Sequence, residues 1–183
     1  GLNPLKLILV GIAINAMFSG LTEALISFGA SSTGAITSNL TLKTWDDVTI
    51  IVTYGSIGLI AAFAMFTWCN VLVLSDKTAK SIGFNVTGAR IMIATVAVLL
   101  SAVSVVVAGV ISFVGILVPH IARRLVGHNH KVLIPFTALL GAFIVLLADT
   151  LGRTLFSPME VPASTIMAII GGPFLIFLIR KDK

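Results

Sequence analysis

The feature that most constrains this chain is an uncharged run of 32 residues, from Ile91 to Ala122. One bilayer crossing takes about 20 apolar residues and two crossings take about 40 plus a turn, so the run fits neither a single span nor an ordinary hairpin. Gly109, Gly115 and Pro119 lie in its second half. Because glycine and proline are the residues that most readily interrupt a helix, the run predicts a full membrane helix, a break supplied by these three residues, and a half-length helix.

The positions of the basic residues decide between this bent run and a single long tilted helix. If both ends of the run face the cytoplasm, ten of the 12 Lys and Arg residues lie inside, and Lys43 and Arg153 lie outside. If the run crosses once, five lie inside and seven outside. Lys and Arg are concentrated in cytoplasmic loops of membrane proteins, so the bent run is favoured.

The composition places the whole chain in a membrane. It is 57% hydrophobic and 10% charged, whereas a soluble domain has about a quarter of its residues charged. The net charge of +5 is spread over short loops with no basic aromatic face, so we expect no nucleic-acid partner. We predict an all-α, polytopic transmembrane helical bundle forming a single domain over 1–183, with about five full or partial membrane helices, a half-length broken helix and a short cytoplasmic helix.

Four other apolar stretches complete the predicted bundle: 7–22, 48–75, 132–148 and 161–179, the last interrupted by Gly172-Pro173. The stretch 29–47 is expected to form an outer loop in which Asp46 or Asp47 caps a helix. Asn15 lies inside the first span, where it either lines a substrate path or makes a hydrogen bond between helices.

Two polar patterns mark the ends of spans. Asp149 and Arg153 are four residues apart, which puts them on one face of a helix end, where they can form an ion pair. A proton relay at Asp149 is the alternative. On the cytoplasmic side, Ser75 is expected to cap a short helix that Gly83 ends. By itself that helix is either an ordinary connection or a docking helix for a soluble partner.

Several chemistries have no counterpart in the sequence. It contains no zinc-protease, serine-hydrolase or phosphate-loop motif. His120, His128 and His130 match no standard metal cluster, and two of them lie in a basic loop. We therefore expect no catalytic residue, no metal site and no cofactor on this chain.

A set of positions forms a recognisable pattern: the run 115–123 (Gly-Ile-Leu-Val-Pro-His-Ile-Ala-Arg), His130, Pro135, 146–149 with Arg153, Glu160 with Pro162, and the 171–174 segment Gly-Gly-Pro-Phe. Through these positions the chain, along essentially its whole length, resembles the membrane-spanning subunits of ABC importers for iron-siderophores, haem and vitamin B12. The chain is similar to the C-terminal half of such a ten-helix subunit.

The resemblance implies a multi-pass protein of the bacterial plasma membrane. Its expected partners are an ABC ATPase subunit, a second permease subunit that is identical or a sister chain, and an extracellular or periplasmic substrate-binding protein. It would be a transport subunit and no enzyme, with ATP hydrolysed on the ATPase chain.

The resemblance also implies roles for individual residues. Those expected to couple the chain to the ATPase are Asp76, Thr78, Ala79 and Gly83. Those expected to dock the binding protein are Arg153 and Glu160. Those expected at the broken, gating helix are Gly109, Gly115, Pro119 and His120. Those expected along the translocation path are Asn15, Ser38 and Asn39.

Two other functions remain open at this point. A secondary transporter also contains broken helices, and its energy would come from an ion gradient. A structural or assembly subunit of a membrane complex is the second alternative. Transport that persists without ATP would favour the first, and no transport in a complete complex would favour the second.

Overall fold

The computed structural model describes residues 14, 17–18, 40, 43–155 and 161–181. The chain divides into two compact units, Gly1–Thr37 and Ser38–Lys183. In the first unit Ile14, Met17 and Phe18 are helical, in agreement with the predicted first span. The rest of that span, and most of the predicted outer loop, lie outside the described residues.

In the second unit the described residues form helices and no strand. The helices are α1 (Trp45–Ala64), α2 (Phe66–Leu72), α3 (Asp76–Ser81), α4 (Val86–Ala108), α5 (Val114–Val126), α6 (His130–Thr154) and α7 (Ala163–Lys181). Three of them, α1, α4 and α6, are long and apolar enough to cross a membrane. The predicted all-α polytopic class is confirmed.

Large apolar side chains face outward on these helices. Trp45 is 84% exposed, Leu139 72% and Ile60 70%, whereas no polar or charged residue is buried in the described part of the chain. A water-soluble protein shows the reverse pattern. Helices satisfy their own backbone groups, so this apolar exterior suits a lipid environment.

Helix α1 begins earlier than the sequence predicted. The Asp47 carboxylate accepts hydrogen bonds from the Thr44 backbone N–H at 2.9 Å and from the Thr44 hydroxyl at 3.2 Å. This confirms a capping role for Asp47. The predicted continuous span over 48–75 is wrong in one respect, because Met65, with ψ near 7°, separates α1 from α2.

The break in the uncharged run lies between α4 and α5. Gly109 has φ 71° and Phe113 has φ 68°, and α5 begins at Val114. The prediction that Gly115 and Pro119 supply the break is therefore wrong, since both lie inside α5. A proline removes one backbone hydrogen bond and crowds the carbonyl four residues earlier, here that of Gly115, and membrane helices tolerate such a defect.

Two side-chain links confirm that the run folds back on itself. Asp76 pairs with Arg90 at the start of α4, and Asn70 bonds to His130 just after α5. Asn70 and Asp76 are six residues apart, a distance of at most about 20 Å. A single continuous helix over the run is excluded because α4 ends at Ala108 and α5 begins at Val114.

Helices α6 and α7 are more regular than the sequence predicted. Helix α6 continues six residues past Ala148 to Thr154, and carries Asp149 and Arg153 in its last turns. Helix α7 runs through Gly172-Pro173 without interruption, which corrects the predicted break there. The missing N–H of Pro173 costs one helical bond, which the surrounding turns outweigh.

The buried core lies where the break meets α6 and α7. One cluster of buried residues there consists of Ala148, Ala163, Ile166 and Met167, and Ile111 from the break and Val114 at the start of α5 pack against it. Small residues in this cluster bring the helix backbones close together. The core thus positions the start of α5.

Candidate functional site

The functional residues predicted from the sequence fall into three regions: the short helix α3, the break with α5, and the end of α6. Helix α3 begins and ends as predicted. The Ser75 hydroxyl accepts the Thr78 N–H at 3.2 Å and lies 2.8 Å from the Thr78 hydroxyl. At the other end Gly83 has φ 76°, and the Phe84 N–H donates to the Ala79 carbonyl at 3.1 Å. Such a turn favours glycine because a side chain is strained at positive φ.

Two of the predicted coupling residues, Asp76 and Ala79, make contacts within this chain. Ala79 is 1% exposed, so its small size serves packing against its own helices. Asp76 accepts from both terminal nitrogens of Arg90, at 2.7 and 3.2 Å. The exposed surface of α3 includes Lys77, Thr78 and Lys80 together with the paired Asp76, and Ile82 is 63% exposed just beyond them.

Asn70 of α2 makes a cluster of hydrogen bonds next to α3. Its Oδ1 lies 2.8 Å from the His130 backbone nitrogen and 2.8 Å from His130 Nδ1. Its Nδ2 donates to Asn129 Oδ1 at 3.3 Å. Asn129 Oδ1 also accepts the Lys131 N–H at 3.1 Å, which caps α6.

The break and α5 lie against α7. The Phe113 side chain covers Gly171 so closely that a Cβ on that glycine would collide with Phe113 Cβ and Cγ. About two turns further along α5, the His120 ring meets the Phe174 ring of α7 edge to face, with centroids 6.1 Å apart. His120 Nε2 is buried and has no hydrogen-bond partner in the described part of the chain.

At the far end of α6 the chain turns back onto its own backbone. The Val161 N–H donates to the Gly152 carbonyl at 3.1 Å. A Cβ at Gly152 would collide with the Val161 carbonyl oxygen. The predicted ion pair is present, with Arg153 Nε 2.9 Å from Asp149 Oδ2, and the Arg153 side chain remains 40% exposed.

The structure therefore brings together some predicted residues and leaves others apart. Gly109 lies at the break, and Gly115, Pro119 and His120 lie on α5. Glu160, Asn15, Ser38 and Asn39 lie outside the described residues. Within the described part, no group of three His, Cys, Asp or Glu side chains is arranged to hold a metal ion.

Sequence reasoning missed two residues. Asn70 is absent from the residues selected from the sequence, although an amide in an otherwise apolar helix is a usable signal. Phe113 gave no signal, because a left-handed aromatic residue is not predictable from its neighbours.

Taken together, three membrane-length helices, a broken half helix between them and a short helix outside the apolar spans define a polytopic helical membrane protein. The chain belongs to the FecCD transport family, whose family model matches residues 1–181.

Proteins and a solved structure that are similar to this chain agree with this family assignment. The chain is 41% identical, over 181 residues, to proteins of Staphylococcus aureus strains RF122 and Newman that are described as probable haem-iron transport system permease proteins, IsdF. The match covers 99% of this chain and 55% of each relative, so the chain spans about half their length. A solved structure assigned to the metal-chelate type of ABC transporter, in an inward-facing conformation, matches with a TM-score of 0.87 at 29% identity. That match covers 98% of this chain and 62% of the other.

Proposed function

We propose that this chain is part of a permease subunit of an ABC importer that moves a haem-type or other iron-chelate substrate into a bacterial cell. The observation that carries the proposal is 41% identity over 181 residues to proteins described as haem-iron permeases. ATP would be hydrolysed on a separate subunit, and a second permease subunit would complete the path.

Helix α3 is proposed to contact the ATPase. It is held on its own chain by buried Ala79 and by the pair between Asp76 and Arg90. Its exposed side carries Lys77 and Lys80, followed by the apolar Ile82. A helix fixed to one protein that presents a basic and apolar surface to another is suited to transmit movement between them. Thr78 and Gly83 would serve the shape of this helix, as its cap and its end.

The outer end of α6 is proposed to dock a substrate-binding protein through Arg153 and Glu160. Arg153 is paired with Asp149 yet remains 40% exposed, so its other guanidinium nitrogens can reach a carboxylate on a partner. Attraction of this kind speeds association and weakens with salt.

Docking by Arg153 is tested by binding. Arg153→Glu should reduce affinity for the binding protein about tenfold or more at low salt, as loss of a charge pair with a like-charge contact in its place does. Asp149→Asn is the matched control and should have a much smaller effect. Unchanged affinity and salt dependence in Arg153→Glu would leave Arg153 as a helix-end charge only.

The gate is proposed to be α5 with the break before it. Gly109 supplies a turn that other residues cannot adopt without strain. Within α5, Pro119 leaves one backbone hydrogen bond unmade and Gly115 has a low helix propensity, so both weaken this helix. The His120 ring of α5 contacts the Phe174 ring of α7, so a relative movement of the two helices would change this contact. Asn15, Ser38 and Asn39 remain proposed path residues.

Transport by the complete protein tests the function. The full-length permease, its ATPase and its binding protein would be reconstituted in liposomes, and uptake of haem, a ferric siderophore and cobalamin compared. ATP-dependent uptake of haem is expected, with none in the presence of a non-hydrolysable ATP analogue. Uptake driven by an ion gradient without ATP would indicate a secondary transporter, and no uptake in an assembled complex would indicate a structural subunit.

A further inference from the structure

Asn70 differs from most polar residues in the described part of the chain. Most side-chain hydrogen bonds there join residues within four positions, as Thr95 does when its hydroxyl donates to the Ile91 carbonyl at 2.9 Å. Those of Asn70 join residues 59 and 60 positions apart. Asn70 therefore connects parts of the molecule that the chain itself does not hold together.

The chemistry of the cluster fixes the orientation of the Asn70 amide. Its oxygen faces the backbone N–H of His130, so that oxygen is an acceptor, and His130 Nδ1 at 2.8 Å must then carry a proton and donate. Its nitrogen faces Asn129 Oδ1, which already accepts the Lys131 N–H. Each of these bonds joins a donor to an acceptor, so an apolar side chain at position 70 leaves the His130 backbone N–H and the Nδ1 proton without this partner.

The cluster lies between two elements of the proposed mechanism. Asn70 is in the short helix α2, five residues before the Ser75 cap of α3. Asn129 and His130 begin α6, three residues after α5 ends at Val126. One amide thus joins the segment that carries α3 to the junction between the half helix and α6.

Hydrogen bonds and apolar contacts respond differently to movement. Apolar surfaces can slide past one another with little loss, since their attraction has no direction. A hydrogen bond weakens steeply when its distance or angle changes. A shift of α2 with α3 must therefore either carry the start of α6 with it or break the Asn70 bonds.

We propose that Asn70 is a positioning residue that couples movement of α3 to movement of α5 and α6. This inference rests on the proposed function, and it adds a residue and a route to it. Asn70 acts through Asn129 and His130, and its loss should separate ATP hydrolysis from transport.

The test uses the complete importer in liposomes and measures substrate moved per ATP hydrolysed. Asn70→Leu keeps a side chain of similar size and removes the hydrogen bonds that Asn70 makes to Asn129 and His130. We expect its transport per ATP to fall about fivefold or more, the size of typical coupling effects between sites, while ATP hydrolysis continues. Thr95→Val is the matched control, since it removes a local hydrogen bond within α4, and its ratio should equal that of the wild type.

Two further variants separate coupling from a structural role. Asn129→Asp keeps an acceptor for Asn70 Nδ2 and for the Lys131 N–H, so its transport per ATP should match the wild type. Asn70→Leu combined with His130→Phe should be no worse than Asn70→Leu alone, because both changes remove the same link. A structural role would instead reduce the amount of assembled complex and leave the ratio unchanged.

The outcomes are distinct from failure of the proposed function. If the wild-type importer shows no ATP-driven uptake, the proposed function is wrong. If the wild type transports and an assembled Asn70→Leu complex keeps the wild-type ratio of transport to ATP hydrolysis, the coupling role of Asn70 is wrong.

Discussion

The two ends of α6 are held in different ways. Its start is held by side-chain hydrogen bonds, which the Asn70 amide makes to His130 and Asn129. At its far end, backbone meets backbone, because the Val161 N–H bonds to the Gly152 carbonyl and leaves no space for a side chain on Gly152.

This difference indicates which end can move. A net hydrogen bond contributes about 1 kcal/mol and can be broken and made again elsewhere. A close backbone contact has no such alternative, since any side chain on the glycine separates the two segments. The start of α6 is therefore suited to a part that shifts during a transport cycle, and the far end to a fixed anchor.

The largest expected effect is at the fixed end. In Gly152→Ala the new Cβ would collide with the Val161 carbonyl, and backbone cannot rotate away, so the free energy of unfolding should fall by about 1–3 kcal/mol. Thermal unfolding of the full-length permease in detergent measures this. Gly172→Ala is the control, because no atom lies within 4 Å of its Cβ position, and it should be neutral or slightly stabilising. Equal melting temperatures for the two variants would contradict the close backbone contact.

An intermediate effect is expected at the break. Gly171→Ala brings a Cβ into collision with Phe113 Cβ and within 2.6 Å of Phe113 Cγ, and it should destabilise the protein by about 1–2 kcal/mol, less than Gly152→Ala because the atoms in the way belong to a side chain and not to a backbone carbonyl. Adding Phe113→Gly removes both atoms, and glycine suits the φ of 68° at this position. The double variant should then unfold at a higher temperature than Gly171→Ala alone, and a further loss of stability on adding Phe113→Gly would show that the two residues do not meet.

The smallest effect is expected for the ion pair at α3. The Arg90 and Asp76 side chains are 57% and 54% exposed, and exposed pairs contribute at most about 1 kcal/mol. A double-mutant cycle with Arg90→Gln and Asp76→Asn should give a coupling free energy in that range, reduced by salt. A coupling of several kcal/mol would mean that this pair is shielded from water in the assembled protein.

The fold could be predicted from the sequence wherever one local rule decides the outcome. The length of the uncharged run and the positions of the basic residues predicted that the run crosses and returns, and of the three predicted break residues Gly109 lies at the break. Ser75 and Gly83 predicted the ends of α3, since capping depends on neighbours in the sequence. In each case the governing distance is a few residues.

The errors have two physical causes. Gly115, Pro119 and Gly172-Pro173 look like helix breakers, yet in lipid a helix that loses one bond is better than exposed irregular backbone. The close contacts of Phe113 with Gly171 and of Gly152 with Val161 depend on segments far apart in the chain. No pattern within either segment specifies its partner.

The most direct test of the central claim, that the run from Ile91 to Ala122 crosses and returns, is cysteine labelling in intact cells. Cys69, the only cysteine of this chain, and any cysteine in the rest of the full-length permease are first replaced by alanine. In that background, Lys43→Cys should react with a membrane-impermeant reagent added outside. Arg124→Cys should react only after the reagent reaches the cytoplasm, because the half helix α5 returns its end to the side from which α4 began. Strong labelling of Arg124→Cys from outside would mean that the run crosses once, and the account of the fold and of the Asn70 link would be wrong.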